Sequence, residues 1–271
     1  MKIVAGIQIY EEEDFIKPTL LSLLQFCDKI VVVEGCWENT LSQTNSKRSR
    51  DKTIDFIKDI IKYHDPDKKI ELHFFNGKNQ FEHRIHILNL SLKHNPTWYL
   101  QGDGDEIFHE KHIPKLLEIM KTTNKTAINP NHKLFWNDLT RYENWRPSGR
   151  FFNFNKLDMS KLQYLDCNVY GYDGNRNYFK NENCLTPSDI FIFHPSYVKN
   201  FDRQLLKWKH RTMDDSYQFP HGLDYTLRMV YRKSFPNAQA YQKSLKKISN
   251  EELPLVLQDE FYKELLVSKV N

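Results

Sequence analysis

The chain of 271 residues, with a mass of 32.5 kDa, is long enough to bury a substantial core in one large α/β domain. Its 14% aromatic residues, 9 glycines and 11 prolines exclude a disordered or low-complexity protein. The formal net charge of +4 allows anionic ligands, but it is too small to indicate a dedicated nucleic-acid binder.

Cysteine spacing and hydropathy narrow the class of protein further. No CxxC pair occurs, which argues against a zinc ribbon or a dithiol redox motif and favours reduced thiols. No stretch approaches the roughly 20 apolar residues of a membrane span, and the apolar N-terminal run ends in four acidic residues rather than a cleavage site. We therefore expect a cytoplasmic protein without a transmembrane segment. The cysteines are Cys27, Cys36, Cys167 and Cys184.

The first hundred residues alternate between predicted strands and helices. The first helix is expected to begin near Asp14 or Phe15, because Pro18 then lies in its first turn and removes no helical hydrogen bond. This alternation predicts an α/β fold with a mostly parallel central sheet flanked by helices. The other predicted elements are strands over 3–9, 29–34, 70–75 and 97–101, and helices over 51–62 and 80–93.

The second half of the chain is rich in aromatic residues and loses the regular alternation after residue 125. Its composition suggests an acceptor-binding or lid region rather than a second nucleotide-binding fold. Residues 251–267 have amphipathic helical spacing, so we expect a helix that docks on the body. Without an internal repeat or a linker, the prediction is a single domain, 1–271, with halves 1–125 and 126–271.

An acidic cluster follows the predicted strand at 97–101, in the segment WYLQGDGDEIF. Asp103 and Asp105 flank Gly104, and Glu106 follows directly, so three carboxylates repel one another unless something compensates their charge. Carboxylate oxygens suit Mg²⁺ or Mn²⁺, and such an ion can bridge protein acids to a diphosphate. An acidic turn without a ligand is the simpler alternative, whereas an EF-hand is excluded because its other ligand positions are absent.

Two longer segments resemble a known enzyme family. They are IQIYEEEDFIKPTLLSLLQFCDKIVVVEGCWENT and FEHRIHILNLSLKHNPTWYLQGDGDEIF. The motifs in these segments, and the order in which they occur, resemble those in the nucleotide-sugar-binding half of family 2-type glycosyltransferases of the GT-A fold. The resemblance covers roughly residues 3–108. The resemblance implies a GT-A-like domain whose halves bind donor and acceptor. It also implies a metal-dependent hexosyl- or pentosyltransferase that moves a sugar from a nucleotide-diphosphate sugar to a hydroxyl group.

The resemblance also suggests which residues bind the donor. Glu34 stands where the family has an aspartate that contacts the base or ribose, and Asn39 stands where a second aspartate is usual. Arg84 matches the arginine of the family's A-R-N segment, whose charge suits a diphosphate. Asp103 would contact the ribose or the metal. Glu11 stands where the family usually has an asparagine. The alternative environment is an exposed loop for Glu34 and Asn39 and a solvated helix face for Arg84.

For the metal site, the resemblance implies Asp105 as principal ligand, with Asp103 beside it and Glu106 as support. His194 ends another strand-like run, where the family often supplies a histidine ligand, and imidazole suits Mn²⁺ better than Mg²⁺. A packed or capping histidine is the alternative. The predicted cofactor is therefore Mn²⁺ or Mg²⁺.

An inverting transfer requires a carboxylate that takes the proton of the acceptor hydroxyl. Asp224 faintly resembles the family's catalytic acid, with Arg228 in the final place of that motif, and Asp189 is a second candidate. A helix N-terminal carboxylate is the alternative role for Asp224. Both inversion and retention are compatible with the sequence.

We expect a UDP-sugar as donor and a glycan or small molecule as acceptor. Trp136, Trp145 and Trp208 could stack on sugars or bases, and arginines lie among these aromatics, at Arg141, Arg146 and Arg150. DNA is a possible acceptor, although ordinary packing explains the same pattern. The alternative function is a non-catalytic nucleic-acid or carbohydrate-binding protein on a GT-A-like scaffold. A nucleotidyltransferase would need a Gly-rich, Lys-bearing loop near the N-terminus, and GIQIYEEED is no such loop.

Overall fold

The computed structural model shows a seven-stranded sheet, a five-stranded sheet, a two-stranded hairpin and four α-helices among the residues that it describes. It describes residues 1–38, 45–136, 138–145, 149–157, 184–199, 203, 245–259 and 262, and the backbone of 162–165 and 168–171.

The first sheet is built mainly by the predicted strands. Four parallel strands run in the order β3-β2-β1-β4, and β9 then pairs antiparallel with both β4 and β6, followed by β12. The predicted mostly parallel sheet is confirmed. Its strands are β1 Ile3–Ile9, β2 Lys29–Glu34, β3 Ile70–Phe74, β4 Trp98–Asp103, β6 Ala127–Ile128, β9 Phe151–Asn153 and β12 Cys184–Leu185.

Helices cover both faces of this sheet. They are α1 Ile16–Leu24, α2 Thr53–Tyr63, α3 Gln80–Leu92 and α4 Ile113–Thr122. Alternation along β1 separates the two faces. Ile3, Ala5 and Ile7 pack with α1, α2 and α4, whereas Val4 packs with Ile87 of α3. The β-branched runs that predicted the strands are therefore buried on both sides, as parallel sheets require.

Close packing of α3 depends on a glycine in β1. A Cβ atom at Gly6 would lie 2.5 Å from both Ile87 Cγ2 and Tyr99 Oη, so no larger residue fits beneath this helix without displacement.

The second sheet has the order β14-β8-β7-β13-β5 and includes one parallel pair, β7 with β13. Its strands are β5 Ile107–Phe108, β7 Asn131–Trp136, β8 Arg141–Trp145, β13 Phe191–Tyr197 and β14 Lys246–Lys247. A separate hairpin comprises β10 Leu162–Leu165 and β11 Asn168–Gly171. Helix α1 joins the two cores, because Ile16 and Leu20 belong to the first and the preceding Phe15 to the second.

The structure corrects several predicted boundaries. Helix α1 begins at Ile16, one or two residues later than expected, and Pro18 does lie in its first turn. The predicted single helix over 251–267 is wrong for its first part, which forms the 3₁₀ turns Asn250–Glu252 and Leu255–Leu257. Because Pro254 cannot donate a helical hydrogen bond, the chain turns there instead. This segment does dock on the body, since Leu253, Leu257 and Tyr262 are buried in the second core.

The lengths of the helices test the prediction that the chain has no transmembrane segment. In the part of the chain that the structure describes, no helix is long and apolar enough to cross a membrane.

The central position of β4 leads to a stability prediction. Leu100 is completely buried in the first core, so Leu100→Ala should lower the free energy of unfolding by about 2–5 kcal/mol. Urea denaturation of the two proteins measures this difference. Leu255→Ala is the matched control, because 64% of that side chain is exposed and its truncation should change the free energy by less than about 0.5 kcal/mol. Equal losses in both variants would contradict this assignment of the core.

Candidate functional site

A pocket of about 150 Å³ lies at the carboxyl ends of β1 and β4. In open sheets with parallel strands, ligands bind at this edge. The acidic turn Asp103–Asp105 lines the pocket together with His194 of β13, and the segment that follows β1 forms another part of the wall. The structure therefore brings together the three predicted metal ligands, Asp103, Asp105 and His194, although they come from distant parts of the chain.

Two arginines compensate the charge of Asp103. Arg84 of α3 forms an ion pair with one carboxylate oxygen and donates a 2.8 Å hydrogen bond to the carbonyl of Gly102, while Arg150 lies 3.2 Å from the other oxygen. Burial by itself would raise the pKa of Asp103, but the two guanidinium groups outweigh it and hold that pKa well below its usual range. Asp103 is thus a carboxylate at neutral pH.

Glu106 is held in the same way on the inner side of the turn. Its Oε1 forms an ion pair with Arg150 and lies 3.0 Å from Nε2 of His132. Burial would raise the pKa of Glu106, yet the nearby Arg150 lowers it below the usual value. Burial also lowers the pKa of His132 to about 4, so its imidazole is neutral at pH 7.

Asp105 and His194 line the pocket together with Asp103. Nε2 of His194 lies 3.1 Å from Oδ1 of Asp105, and both residues are buried. Gly104 allows this turn, because a Cβ atom there would lie 2.8 Å from Ile9 Cγ2 and 3.1 Å from Glu12 Cγ. The hydroxyl of Thr19 fixes the turn from α1 by donating a 3.0 Å hydrogen bond to the Gly104 carbonyl.

The cluster has the donor atoms of a divalent-metal site. Potential ligand atoms of Glu106, His132 and His194 lie within 4.8 Å of one another. Nδ1 of each histidine lacks a hydrogen-bond partner among the described residues. Asp103 and Glu106 pair with the two arginines, and Asp105 contacts His194. Imidazole and carboxylate ligands together suit Mn²⁺, and the residues therefore fit such an ion.

Sequence reasoning missed His132, which contributes to the cluster from β7. Its position becomes informative only when β7 and β13 are known to be neighbours, because the rings of His132 and His194 then lie 5.5 Å apart. The sequence did contain one indication, because the strand-like segments NHKLFW and FIFHPSY each carry a single histidine among apolar residues. Both histidines are buried in the structure.

Glu34 ends β2 at the same edge of the sheet and is completely buried, so the exposed-loop alternative does not apply to it. Its Oε1 accepts hydrogen bonds from the backbone N–H and the hydroxyl of Ser49, at 2.7 and 2.8 Å. Its Oε2 lacks a hydrogen-bond partner among the described residues, although Arg48 Nε lies 3.8 Å away. Burial raises the pKa of Glu34.

The other predicted site residues have separate outcomes. Arg84 is buried rather than on a solvated helix face, and its guanidinium contacts Asp103 and the Gly102 carbonyl. Asp189 is exposed, forms an ion pair with Lys115 of α4 and does not line the pocket. The predictions for Asn39 and Asp224 lie outside the described residues, as do those for Arg146, Trp208 and Arg228.

The pocket is also lined by two cations, Lys199 and Arg203. The sequence analysis did not predict a role for either of them. Lys199 Nζ lies 2.5 Å from Glu12 and 3.7 Å from Asp14. Arg203 contacts Asp14 at 2.7 Å and Asp51 at 2.8 Å. The acidic segment after β1 therefore holds the residues that follow β13 against one wall of the pocket.

Comparisons with known proteins give only distant similarities. No protein-family model and no curated protein matches the chain. Among solved structures, S. aureus TarS in complex with UDP-GlcNAc is 11% identical with a TM-score of 0.46, and the match covers 95% of this chain and 78% of that one. The mannosyltransferase PcManGT from Pyrobaculum calidifontis, in complex with GDP-Man and Mn²⁺, is 13% identical with a TM-score of 0.46, covering 89% and 69%.

A third similar structure is that of an enzyme with a different activity. The 4-diphosphocytidyl-2C-methyl-D-erythritol synthase from Anaerococcus prevotii is 14% identical with a TM-score of 0.43, covering 79% of this chain and 96% of that one. Such identities are too low to transfer a function from one chain to another.

The ion pairs of Arg150 generate a stability prediction. Arg150→Met should lower the free energy of unfolding by about 3–5 kcal/mol, because it leaves the buried charge of Glu106 without its main partner. Chemical denaturation at neutral pH measures the loss. Lys115→Met is the control: that lysine pairs with Asp189, both side chains are more than half exposed, and its loss should cost less than about 1 kcal/mol. A loss as small as that of the control would contradict the proposed electrostatic role of Arg150.

The raised pKa of Glu34 generates a prediction about pH. As pH rises from the ordinary glutamate value of 4.5 through the raised pKa, the folded state holds its proton longer than the unfolded chain does, so this group destabilises the fold progressively. The neutral variant Glu34→Gln lacks this contribution. Its free energy of unfolding relative to wild type should therefore increase with pH across that window. Glu118→Gln, the same substitution at an exposed position, is the matched control. A constant difference for Glu34→Gln would contradict the prediction.

Proposed function

We propose that the protein is a metal-dependent glycosyltransferase that transfers a sugar from a nucleotide-diphosphate sugar to a hydroxyl acceptor. One observation carries the proposal: a single pocket at the carboxyl edge of the sheet is lined by Asp103, Asp105 and His194 as well as by the cations Lys199 and Arg203. A diphosphate bridged to a divalent ion needs both kinds of group, anionic ligands for the metal and cations for the phosphate oxygens.

Asp105 and His194 would be the principal metal ligands in this proposal, with Asp103 beside them. Glu106 and His132 complete a deeper ligand set that shares His194. A bound divalent ion would supply electrostatic stabilisation of the departing nucleoside diphosphate. Arg84 and Arg150 are positioning residues, because they orient Asp103 and keep it ionised while they remain behind the pocket wall.

The donor would extend from the acidic turn toward β2. Glu34 is proposed, from the family resemblance, to accept a hydrogen bond from a ribose hydroxyl or a pyrimidine N–H. Its Oε2 lacks a hydrogen-bond partner among the described residues, but the side chain is completely buried and does not line the pocket. Asn39 is proposed for the same subsite, and the expected donor is a UDP-sugar. Lys199 and Arg203 are better placed than Arg84 for the diphosphate, since they line the pocket and Arg84 does not.

The acceptor side requires a general base if the transfer is inverting. Asp224 remains the proposed base from the family resemblance. Asp189 is a weaker candidate, because its carboxylate is exposed and paired with Lys115.

One observation favours the alternative of a non-catalytic binding protein on the same scaffold. Arg84 and Arg150 already compensate most of the acidic charge, which a protein that binds no metal would also need. Metal-dependent turnover separates the two functions.

The function predicts metal-dependent cleavage of a sugar nucleotide. Purified protein is incubated with a panel of UDP- and GDP-sugars, with Mn²⁺, with Mg²⁺ or with a chelator, and the released nucleoside diphosphate is measured. We expect release with metal only, and a loss of about 10²-fold or more in Asp105→Asn, because the substitution removes a charged ligand from the site.

Asp59→Asn is the matched control, since this acid is exposed on α2, outside the pocket, and its variant should keep wild-type turnover. Calorimetric titration with MnCl₂ gives a second measurement on the same proteins. No turnover and no Mn²⁺ binding by the wild type would reject the glycosyltransferase function in favour of the binding protein.

A further inference from the structure

The two faces of the second sheet differ sharply in character. Side chains alternate along each strand, so neighbours in the chain point to opposite faces. On one face Phe135 packs 5.9 Å from both Tyr142 and Phe193, within the second core. The other face carries His132 and His194 of the candidate metal cluster. This site-side face therefore continues directly from the proposed reaction centre.

Trp145 extends the site-side face next to the metal cluster. It pairs with His132 across β7 and β8, its indole lies edge-on to that imidazole at 5.7 Å, and the His194 ring is 6.4 Å away. Despite these contacts, 44% of Trp145 is exposed. A large aromatic surface that is open at the edge of a proposed active site is suited to stack against a ligand.

A second aromatic group lies at the far ends of the two parallel strands. Trp136 of β7 and Tyr197 of β13 are register partners, and their rings stack at 4.1 Å with an angle of 7°. Both residues are only partly buried. The site-side face thus offers aromatic surface at two positions, at Trp145 and at this stacked pair.

The charges on the same face are mixed. Alternation along β8 places Arg141 and Glu143 on the side of Trp145, and Lys247 of β14 pairs with Arg141. The phosphates of a nucleic acid would be attracted by the two cations but repelled by the Glu143 carboxylate that lies between Arg141 and Trp145 along β8. Hydroxyl groups, by contrast, can donate to a carboxylate and accept from a cation, while the C–H face of a sugar ring packs on an indole.

We propose that this site-side face binds the acceptor and that the acceptor is a saccharide, whose ring stacks on Trp145. The inference rests on the proposed glycosyltransferase function and adds the chemical class of its acceptor. Of the acceptors that the sequence allows, the inference selects a glycan over DNA.

The test uses the full chain with two probes, an array of immobilised mono- and oligosaccharides and a mixed-sequence single-stranded oligonucleotide. We expect the wild type to retain at least one saccharide, and Trp145→Ala to reduce its retention at least about tenfold, as for a buried aromatic anchor. Trp145→Phe keeps a smaller aromatic face and should retain part of the binding. Tyr63→Ala is the control, because it removes another exposed aromatic, on α2, and should leave binding unchanged.

Several outcomes would overturn the inference. Retention of no saccharide, or equal retention by Trp145→Ala, would reject Trp145 as the acceptor platform. Oligonucleotide binding that depends on Trp145 would assign the face to nucleic acid instead. Loss of Mn²⁺ binding in Trp145→Ala would mean that the indole acts by holding the histidines. Donor turnover of the wild type, measured separately, tells a failure of this inference from a failure of the proposed function.

Discussion

The candidate site depends on the compensation of buried negative charge by two arginines. Asp103 and Glu106 lie within a few residues of each other at the end of β4, and neither could stay ionised there without a partner. Arg84 reaches the turn from α3 in the first half of the chain, and Arg150 reaches it from the segment before β9. Both halves of the chain must therefore be folded before this edge is electrostatically stable.

That constraint explains why the site is assembled from both halves. Helix α1 packs into both cores and fixes the acidic turn through Thr19. From the opposite side, β13 brings His194 to Asp105. The proposed division into a donor half and an acceptor half is consequently one of function, because the second half also contributes strands β6, β9 and β12 to the first sheet.

Local patterns predicted the first hundred residues well, because β1, β2 and β4 are largely buried apolar strands that alternate along the chain with helices. The second half was not predictable in this way. Its short strands pair with distant ones, as β12 does with β6, and such pairings leave no local period in the sequence. Within the site, the residue types of the acidic turn were informative, and the resemblance pointed to His194. The role of His132 and the partner of Arg84 were hidden, because only tertiary packing determines them.

Strand β13 carries side chains for three different tasks within a few residues. His194 contacts Asp105, Tyr197 stacks on Trp136, and Lys199 just beyond the strand pairs with Glu12 at the pocket wall. Because these groups share one rigid backbone, a shift of β13 along its neighbour β7 would displace all of them together. The position of β13 therefore determines the geometry of the metal cluster, the site-side face and the pocket wall at the same time.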